Sequence, residues 1–485
     1  MATVLILGAG VAGHTAAMHA KRMLGPRHDV VVVTPNANWN WIPSNIWVGV
    51  GKMAPEKVVF PLAPIYDRLG IQFHQALAVS LHPEGGEGHT RPYVIARSTR
   101  PDSEGQEEAY EYDYLINATG PKLNFGATEG LGPEHGNSWS VCTAAHATQT
   151  AGKLAEAIAR CKAGEHLRFV IGTGHGTCTC EGAAFEYTFN VDHVLREAGV
   201  RDHAEVVYLT NEAELGDFGV GGMIFTQQGF QTTSKLWTES LYRERDVMPI
   251  LGAHCTKIEP GVIHYEQLDG SMNELTFDFA MLLPPFRGAD LKAYDVTGAD
   301  ISDKVFNPAG FLKVDANYAA GAYENWSAED WPKTYQSPLY DNVFAAGIAF
   351  APPHQISRPR TSPNGTVITP APPRTGMPSG MIAKAVVMTI VDRIKGTGAP
   401  AHESPMTRMG AACVASAGMG FFDGSAAAMT MMPVVPDWKA FPNTGRNIKG
   451  TSGEIGLAGH WVKHMLHILF IWKAKARPFW WLIPE

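Results

Sequence analysis

The N-terminal glycine pattern constrains the fold of this 485-residue chain more than any other feature. Residues 2–7 form an aliphatic and β-branched run that predicts a short strand, and a helical sequence, HTAAMHAKRML, begins at residue 14. Between them, Gly8, Gly10 and Gly13 give the spacing G-x-G-x-x-G. The first glycine allows a tight turn, the second lets the backbone approach a pyrophosphate, and the third lets helix and strand pack closely. The sequence therefore predicts a strand–turn–helix unit that binds a dinucleotide at the helix N-terminus.

The second predicted strand, DVVVVT, ends where an acidic residue usually holds the ribose of the nucleotide. Thr34 stands at this position. Ribose contacts are therefore expected from Thr34, Asn36 or the backbone, and this position does not identify the nucleotide.

A second glycine-rich turn follows the predicted strand LRFVI and precedes the predicted helix AAFEYTFNVDHVLREAG. It contains Gly172, Gly174 and Gly176, but Thr177 stands where the third glycine should be. The pattern indicates a second Rossmann-like half whose nucleotide pocket is altered or lost. NAD(P)H binding there is the weaker alternative.

Two further strands are predicted at residues 112–120, YDYLINATG, and 342–353, NVFAAGIAFAPP, each ending in small residues. Small residues permit close approach to a bound nucleotide, although each turn taken alone is typical of an ordinary connection. The Pro-rich stretch 351–379 is longer than the loops that merely connect secondary-structure elements, so it predicts a functional loop. A helix is expected after it, ending at Gly396.

Charge and cysteine content exclude several classes of protein. The chain has 39 basic and 47 acidic residues, a net charge of −8, and so lacks the positive field expected of a nucleic-acid-binding protein. Six cysteines without a zinc-type CxxC pair predict neither a disulfide scaffold nor a metal site. The N-terminus shows no export signal, and no apolar run is long enough to predict a membrane-spanning helix.

The last 27 residues predict an amphipathic helix that lies on a membrane. Apolar residues recur at helical spacing, and basic residues alternate with them: the apolar stripe is Trp461, Met465, Ile468, Leu469 and Trp472. A Trp-rich apolar face with basic residues suits an interface with anionic lipid. A helix docked on the core, or a dimer contact, is the alternative.

Several segments together resemble the sulfide:quinone oxidoreductases, which are FAD-dependent flavoproteins with two dinucleotide-binding domains. The matching segments occur in the family's order and cover nearly the whole chain: NWNWIPSNIWVGVG at 38–51, NSWSVCTAAH at 137–146, CEGAAFEY at 180–187, GDFGVGG at 216–222, LLPPFRG at 282–288, FNPAGFLKVD at 306–315 and PPRTG at 372–376.

The resemblance implies an α/β fold with two Rossmann-like domains, similar to glutathione reductase, and a C-terminal helical region that associates with a membrane. The expected FAD domain comprises residues 1–150 and 330–400, the second domain 151–329, and the C-terminal region 401–485. It also implies that FAD is bound by the first glycine loop and by later segments. The expected FAD contacts are Gly8, Gly10, Ala12, Gly13, Thr34, Pro43, Ser44, Asn45, Thr119, Gly120, Gly347, Thr375 and Gly376.

The family mechanism passes two electrons from sulfide through cysteine persulfide chemistry to the flavin and then to a quinone. The resemblance matches Cys180 to one redox cysteine, and Cys142 to a cysteine that some members bond covalently to the flavin. His146 matches a histidine that handles protons. The implied quinone pocket contains Trp41, Phe350, Phe421 and Phe422 around Gly347.

The sequence departs from the family at the second redox cysteine, because Ala349 occupies that position. The usual disulfide cannot form, and Cys178 or Cys142 is considered as a substitute partner for Cys180, although a disulfide between residues 178 and 180 would be strained. Asp217 stands at the position of a second family histidine, and Cys413 is expected to lie outside the chemistry.

We therefore expect a peripheral flavoprotein on the inner (cytoplasmic) membrane that oxidises sulfide or a related sulfur compound and reduces a quinone. Three alternatives stay open: electron transfer to a c-type cytochrome, NADH:quinone oxidation, and a flavin-binding scaffold or electron-relay subunit without sulfide turnover. Homo-oligomer formation is also left open.

Overall fold

The structure is a computed structural model, and it describes residues 1–86, 88–227, 229–319, 323–374 and 376–485. In these residues the helices are α1 Val11–Leu24, α2 Asn45–Gly49, α3 Ala63–Leu69, α4 Ala144–Lys162, α5 Glu181–Glu197, α6 Ser234–Glu244, α7 Ser302–Val305, α8 Met377–Lys395 and α9 Leu457–Ala474. Helix α8 confirms the helix expected after the Pro-rich stretch, since Gly396 caps it in the left-handed conformation.

The same described residues form strands in six sheets. In chain order the strands are β1 Thr3–Leu7, β2 Asp29–Thr34, β3 Asn38–Asn40, β4 Val59–Pro61, β5 Gln72–His82, β6 Tyr93–Ser98, β7 Glu107–Glu111, β8 Tyr114–Asn117, β9 Lys122–Leu123, β10 Leu167–Thr173, β11 Ala204–Leu209, β12 Ile224–Gln227, β13 Phe230–Thr233, β14 Val247–Ile250, β15 Ala253–Glu259, β16 Val262–Gln267, β17 Met272–Thr276, β18 Phe279–Leu283, β19 Phe286–Arg287, β20 Lys292–Ala293, β21 Val343–Ala345, β22 Ala411–Ala417, β23 Ser425–Met431 and β24 Ser452–Gly456.

The first sheet has the order β21-β8-β1-β2-β5-β6-β7, and its first five strands run parallel. Strand β1 is aliphatic and almost wholly buried, as expected of a strand covered on both faces. Strand β21 comes from residues more than 200 positions later, so the chain returns to complete this sheet. Helix α8 then packs along α1. The glycine turn after β1 therefore lies beside the turn after β21.

The second parallel sheet has the order β14-β11-β10-β18, and α5 packs against β10 and β11. A three-stranded antiparallel sheet, β15-β16-β17, packs a separate hydrophobic cluster beside it. Two parallel, helix-covered sheets confirm the predicted α/β class with two Rossmann-like halves. The predicted domain boundaries stay a prediction.

The C-terminal region contains a sheet as well as the predicted helix. Strands β22, β23 and β24 pair antiparallel, and β24 joins β12 and β13. Helix α9 packs on β23 and β22, and β22 packs against α5. Small residues along β22 and β23 allow these close contacts, and the alanine-rich sequence concealed the strands. Across the described ranges, no helix is both long enough and apolar enough to cross a bilayer.

Candidate active site

The first glycine loop is shaped to receive a pyrophosphate. A Cβ added to Gly8 would lie 2.2 Å from the Ala118 carbonyl oxygen, and one added to Gly13 would lie 2.0 Å from the Gly8 carbonyl oxygen. A Cβ added to Gly10 would meet nothing within 4 Å. The outer two glycines are therefore required by the packing of the chain itself, whereas Gly10 faces open space at the N-terminus of α1. This is the pattern expected where a cofactor phosphate approaches the backbone.

Other predicted FAD contacts surround this loop. Gly347 has a φ of +65°, and a Cβ there would lie 2.7 Å from the Ala12 Cβ, so the turn after β21 touches the start of α1. Thr34 is buried at the end of β2. Thr119 donates to Asn117 Oδ1 at 2.8 Å, just after β8, and Gly120 follows with a φ of +72°.

The remaining predicted contacts lie at the ends of two helices. Ser44 is fully buried, and its Oγ lies 2.9 Å from His467 Nδ1. Asn45 donates to the Val141 carbonyl at 3.2 Å, and the Pro43 carbonyl accepts from Lys463 at 3.0 Å. Gly376 caps the N-terminus of α8, while Thr375 lies outside the described residues.

Cys180 stands at the N-terminus of α5 in the left-handed conformation, with a φ of +68° and a ψ of +37°. This conformation is rare for a residue other than glycine and indicates local strain of a kind that often marks functional sites. All six cysteines are thiols in the structure. Cys180 interacts electrostatically with Cys142 and Cys413, so three thiols share one region.

The two neighbouring thiols are buried. Desolvation raises the pKa of Cys142 to about 12 and that of Cys413 to about 12. Cys413 lies on β22, and its Sγ would be 2.9 Å from a Cβ added to Gly182. The resemblance matches Cys413 to a position outside the chemistry, which stays a prediction, and the structure places its thiol against the first turn of α5.

Cys178 faces a different environment. It is completely buried and donates through Sγ to the Leu283 carbonyl at 3.0 Å. Desolvation raises its pKa well above the ordinary value, with further contributions from Glu181 and Cys255. A disulfide between Cys178 and Cys180 stays a prediction. In the structure the Cys178 thiol contacts β18 of the second parallel sheet.

His146 lies near the start of α4, where its backbone N–H donates to the capping hydroxyl of Thr143 at 3.1 Å. Its Nδ1 is buried and has no hydrogen-bond partner among the described residues. Burial lowers the pKa of the imidazole, while Glu134 raises it. A neutral ring with an unsatisfied nitrogen fits proton handling, which stays a prediction for this residue.

Three carboxyl groups that follow Cys180 in the sequence are buried or nearly so. Desolvation raises the pKa of Glu181 well above its usual value, that of Glu212 to about 7, and that of Asp217. The Tyr208 hydroxyl donates to Glu212 Oε2 at 3.2 Å and lies 3.4 Å from the backbone carbonyl of Glu181, whereas the two carboxyl oxygens of Glu181 have no hydrogen-bond partner among the described residues. Asp217 accepts from Ser357 and lines a cavity of about 420 Å³. The three carboxyl groups interact electrostatically with one another, and Asp217 is the one that lines the cavity.

The second glycine loop is covered by the chain itself. A Cβ added to Gly176 would lie 2.4 Å from the Val367 carbonyl oxygen. The carbonyls of Gly176 and Cys178 each accept a backbone hydrogen bond at 2.8 Å, from Thr369 and Ala371. The Pro-rich stretch therefore lies on the surface that a second nucleotide would use.

The four residues predicted for the quinone pocket lie in three places. Trp41 stacks on Phe470 of α9, with ring centroids 4.8 Å apart. Phe421 stacks on Trp461 at 5.2 Å, and Phe422 is 78% exposed. Phe350 is fully buried beside Trp331 and Tyr335, and no ring contact joins it to the other three within the described part of the chain. The predicted pocket stays a prediction.

Helix α9 differs from an ordinary surface helix, because charged side chains are buried against the protein and apolar side chains face solvent. Its polar side chains face the protein: Lys463 and Lys473 are buried in ion pairs with Glu186 and Glu485. Its exposed stripe is apolar and comprises Trp461, Val462, Met465, Ile468 and Trp472. The predicted apolar stripe is thus present except for the half-buried Leu469. The sequence predicts basic residues next to this stripe, but two of them, Lys463 and Lys473, are buried and pair with internal carboxylates.

Sequence reasoning missed Arg374 and the carboxyl groups of Glu181 and Glu212. Arg374 is 4% exposed and interacts electrostatically with Cys180. From the sequence, the segment PPRTG at 372–376 is recognised only as a family match. A charged residue between prolines and a glycine, in a stretch expected to be functional, was the available signal.

Comparison with known proteins relates this chain to flavin-dependent oxidoreductases. Residues 2–214 match the family model described as pyridine nucleotide-disulphide oxidoreductase. A sulfide-quinone reductase from Aquifex aeolicus (strain VF5) is 29% identical over 474 residues, which cover 97% of this chain and 91% of that protein.

Solved structures give the same relationship. The X-ray structure of the sulfide:quinone oxidoreductase from the hyperthermophilic bacterium Aquifex aeolicus superposes with a TM-score of 0.75 at 28% identity, covering 98% of this chain and 92% of that one. NDH2 from Plasmodium falciparum in complex with NADH has a TM-score of 0.60 at 12% identity, covering 99% and 97%. The second likeness concerns the fold alone.

Proposed function

We propose that this chain, a relative of the sulfide:quinone oxidoreductases over nearly its whole length, is an FAD-dependent oxidoreductase that oxidises sulfide and reduces a quinone. The observation that carries the proposal is the alignment with a sulfide-quinone reductase across 97% of the chain. The left-handed Cys180 at the start of α5 supports it, because this residue occupies the position of a family redox cysteine.

FAD fits the first glycine loop, since Gly10 leaves open space where the pyrophosphate would lie. The predicted contact residues Thr34, Thr119, Gly347 and Gly376 are positioned at the ends of β2, β8 and β21 and at the start of α8. Bound FAD would supply a two-electron acceptor for sulfide and a two-electron donor for quinone. The residues of the chain hold the cofactor, bind the sulfur and move the protons.

Cys180 is the sulfur-binding residue in this proposal. Its thiolate forms an S–S bond with hydrosulfide as the S–H bond breaks, for which bound FAD would accept the two electrons, so that Cys180 carries a persulfide. Because residue 349 is alanine, no disulfide with that position takes part. A covalent bond between Cys142 and the flavin is compatible with the shared region of the two cysteines. His146 and the carboxyl groups of Glu212 and Asp217 are proposed to carry protons, and a pKa of about 7 suits Glu212 to this role.

We place the protein at a membrane surface on the exposed stripe of α9. The apolar stripe of α9 is exposed to solvent, and lysines of the helix are buried in the protein. Covering this stripe with lipid would remove apolar surface from water, which is favourable. Phe421, Phe422 and Phe479 add exposed aromatic rings near the ends of the helix. Quinone is a membrane-soluble substrate, and the inner (cytoplasmic) membrane is the proposed location.

One other function is favoured by a specific observation. Ala349 removes a cysteine of the usual mechanism, as expected of a flavin-binding electron-relay or scaffold subunit without sulfide turnover. Electron transfer to a c-type cytochrome is disfavoured by the apolar stripe. NADH oxidation is disfavoured because residues 367–371 cover the second glycine loop.

The proposal is tested by steady-state quinone reduction with FAD-loaded protein in detergent. Decylubiquinone reduction should require sulfide and should not occur with NADH. Reduction with NADH but not sulfide would support the NADH-dependent alternative. No reduction with either donor, in protein that retains FAD, would support the relay or scaffold subunit.

A further inference from the structure

Arg374 is a buried cation whose hydrogen bonds do not neutralise it. The side chain is 4% exposed, and its Nη1 donates to the Ile348 carbonyl at 3.2 Å and to the Phe350 carbonyl. Its Nε is buried and has no hydrogen-bond partner among the described residues. Carbonyl groups satisfy donors, but they supply no negative charge.

The surroundings of Arg374 contain aromatic rings and no carboxylate partner. The guanidinium carbon lies 4.3 Å from the centre of the Phe311 ring and 5.5 Å from that of Phe350. Among the described residues no ion pair joins Arg374 to an acidic side chain. Desolvation lowers its pKa to about 9, while Cys180 and Tyr318 raise it. A buried charge without a counter-ion is costly, so the site favours an anion beside the guanidinium.

Arg374 contacts the turn that contains Ala349. Its two carbonyl acceptors belong to the residues on either side of Ala349, where the related enzymes carry a cysteine. Arg374 is thus fixed at the point where the chain lacks its second sulfur. The segment that carries Arg374 also contacts the loop that leads to Cys180, because the Ala371 N–H donates to the Cys178 carbonyl at 2.8 Å, and Arg374 interacts electrostatically with Cys180.

We propose that Arg374 is the counter-ion of the sulfur anion carried by Cys180, and that it takes over the stabilising part of the missing cysteine's role. The anion is the Cys180 thiolate in the resting enzyme and the Cys180 perthiolate after sulfide has been oxidised. The second state rests on the proposed function, because it requires sulfide as substrate and FAD as oxidant.

The charge on Cys180 is the same in both states. The Cys180 thiolate and hydrosulfide, with one negative charge each, form an S–S bond as the S–H bond of hydrosulfide breaks. Two electrons and the proton pass to FAD, so the products are a perthiolate and the singly negative reduced flavin. A second hydrosulfide can then take the outer sulfur, leaving the thiolate and a hydrodisulfide anion. A fixed cation therefore matches the cysteine before and after each step.

Among the described residues, the titratable side chains that interact with Cys180, follow it in sequence or lie beside Arg374 are thiols, a carboxyl group and a phenol. They are Cys142 before α4, Cys413 on β22, Glu181 on α5 itself and Tyr318 beside Arg374. Desolvation raises the pKa of each of these four groups, which favours their neutral forms. Lys463 pairs with Glu186.

The test is the rate at which iodoacetamide alkylates Cys180 in the FAD-loaded protein, followed from pH 5 to 10 by peptide mass spectrometry. Arg374→Gln should slow alkylation at pH 7 by about tenfold or more and move the midpoint of the profile to higher pH. The reason is that an adjacent cation lowers the pKa of a thiol by about one unit or more. Arg374→Lys, which keeps the charge, should restore most of the rate. Cys180→Ser identifies the signal.

Arg446 supplies a matched control. It is also buried, and it donates to the carbonyls of Val220, Gly222, Pro433 and Val434, but its electrostatic partner is Asp217 and not a cysteine. Arg446→Gln, which removes a buried charge as Arg374→Gln does, should leave the alkylation profile unchanged.

Unchanged alkylation in a folded Arg374→Gln protein would overturn the proposal. If that variant does not fold, Arg374→Met, which fills a similar volume without charge, is measured in its place: the same tenfold loss of rate supports the proposal, and an unchanged profile contradicts it. A wild-type midpoint at or above the ordinary thiol value of about 8.5 also contradicts it. Alkylation does not use sulfide. Loss of the Arg374 effect and loss of sulfide oxidation are therefore separate results.

Discussion

Lys463 Nζ lies 3.0 Å from Glu186 Oε2, and each side chain is only 8% exposed. This ion pair joins α9 to α5, the helix that begins just after Cys180. The Lys463 ammonium also donates to the Pro43 carbonyl at 3.0 Å, beside a predicted FAD contact. One buried lysine therefore fixes α9, the helix with the exposed apolar stripe, to the helix and the loop of the candidate active site.

Replacing this lysine should destabilise the protein strongly. Lys463→Met leaves Glu186 buried without its cation, and breaking one side of such a pair costs about 3–5 kcal/mol. The free energy of unfolding in urea should fall by that amount. Lys439→Met is the control, because its pair with Glu329 is 85% and 72% exposed and contributes little. Equal effects of the two substitutions would contradict the structural role of Lys463.

The exposed stripe of α9 should determine vesicle binding. Met465 and Ile468 are 52% and 60% exposed, and replacing both with serine removes apolar area worth about 1.5–3 kcal/mol for each fully buried side chain. Partitioning to phospholipid vesicles in co-sedimentation should therefore fall at least tenfold. Leu236→Ser with Leu339→Ser removes similarly exposed residues from outside α9. Equal binding by both double variants would locate the membrane contact elsewhere.

Gly10 should matter for the cofactor and not for the fold. Gly10→Ala meets open space in the chain and has an ordinary φ of −70°, so its melting temperature without cofactor should match the wild type. Its FAD affinity should fall at least tenfold, because the added methyl occupies the side from which the pyrophosphate approaches. FAD per chain is measured by absorbance after titration of the apoprotein. Gly152→Ala, also in open space, should bind FAD normally.

Stability should fall as the pH decreases from about 6.5 to 4, partly because of His14. Its Nε2–H donates to the Ala474 carbonyl at 2.7 Å, so Nδ1 accepts from the Tyr66 hydroxyl at 2.9 Å. Burial lowers its pKa to about 4, below the value of 6.5 for an exposed histidine. In this window the unfolded chain binds the proton and the folded one does not, so acid favours unfolding.

The His14 contribution is at most about 3 kcal/mol, lost as the pH falls through the window and constant below it. His14→Gln removes this titration, so its unfolding free energy should depend less on pH between 6.5 and 4. His135→Gln, at an exposed site, should follow the wild-type curve. A His14 variant with the wild-type pH dependence would contradict the assignment.

The local parts of the fold were predictable because each depends on short-range pattern. The strand–glycine–helix opening and the cap of α8 at Gly396 follow from steric requirements that a few residues specify. The return of β21 to the first sheet was implied only by family resemblance, because pairing across more than 200 residues leaves no local signal.

The direction of α9 and the role of Arg374 could not be predicted for the same reason. A helix with apolar and basic residues gives the same periodicity whichever face is buried, and the choice depends on Glu186 and Glu485, which lie on other segments. Likewise, the position of Arg374 beside Ala349 arises from two distant turns that meet. The family resemblance pointed to Cys180 and to the alanine at the position of the second redox cysteine, but not to Arg374.

The most direct test of the account is an anaerobic titration of the FAD-loaded protein with sulfide, followed by a soluble quinone, while flavin absorbance is recorded near 450 nm, an approximate value for oxidised flavin. We expect sulfide to bleach the flavin, quinone to restore it, and Cys180→Ser to abolish bleaching while retaining FAD. Bound flavin that sulfide does not bleach, or equal bleaching in the Cys180→Ser variant, would contradict sulfide oxidation at Cys180.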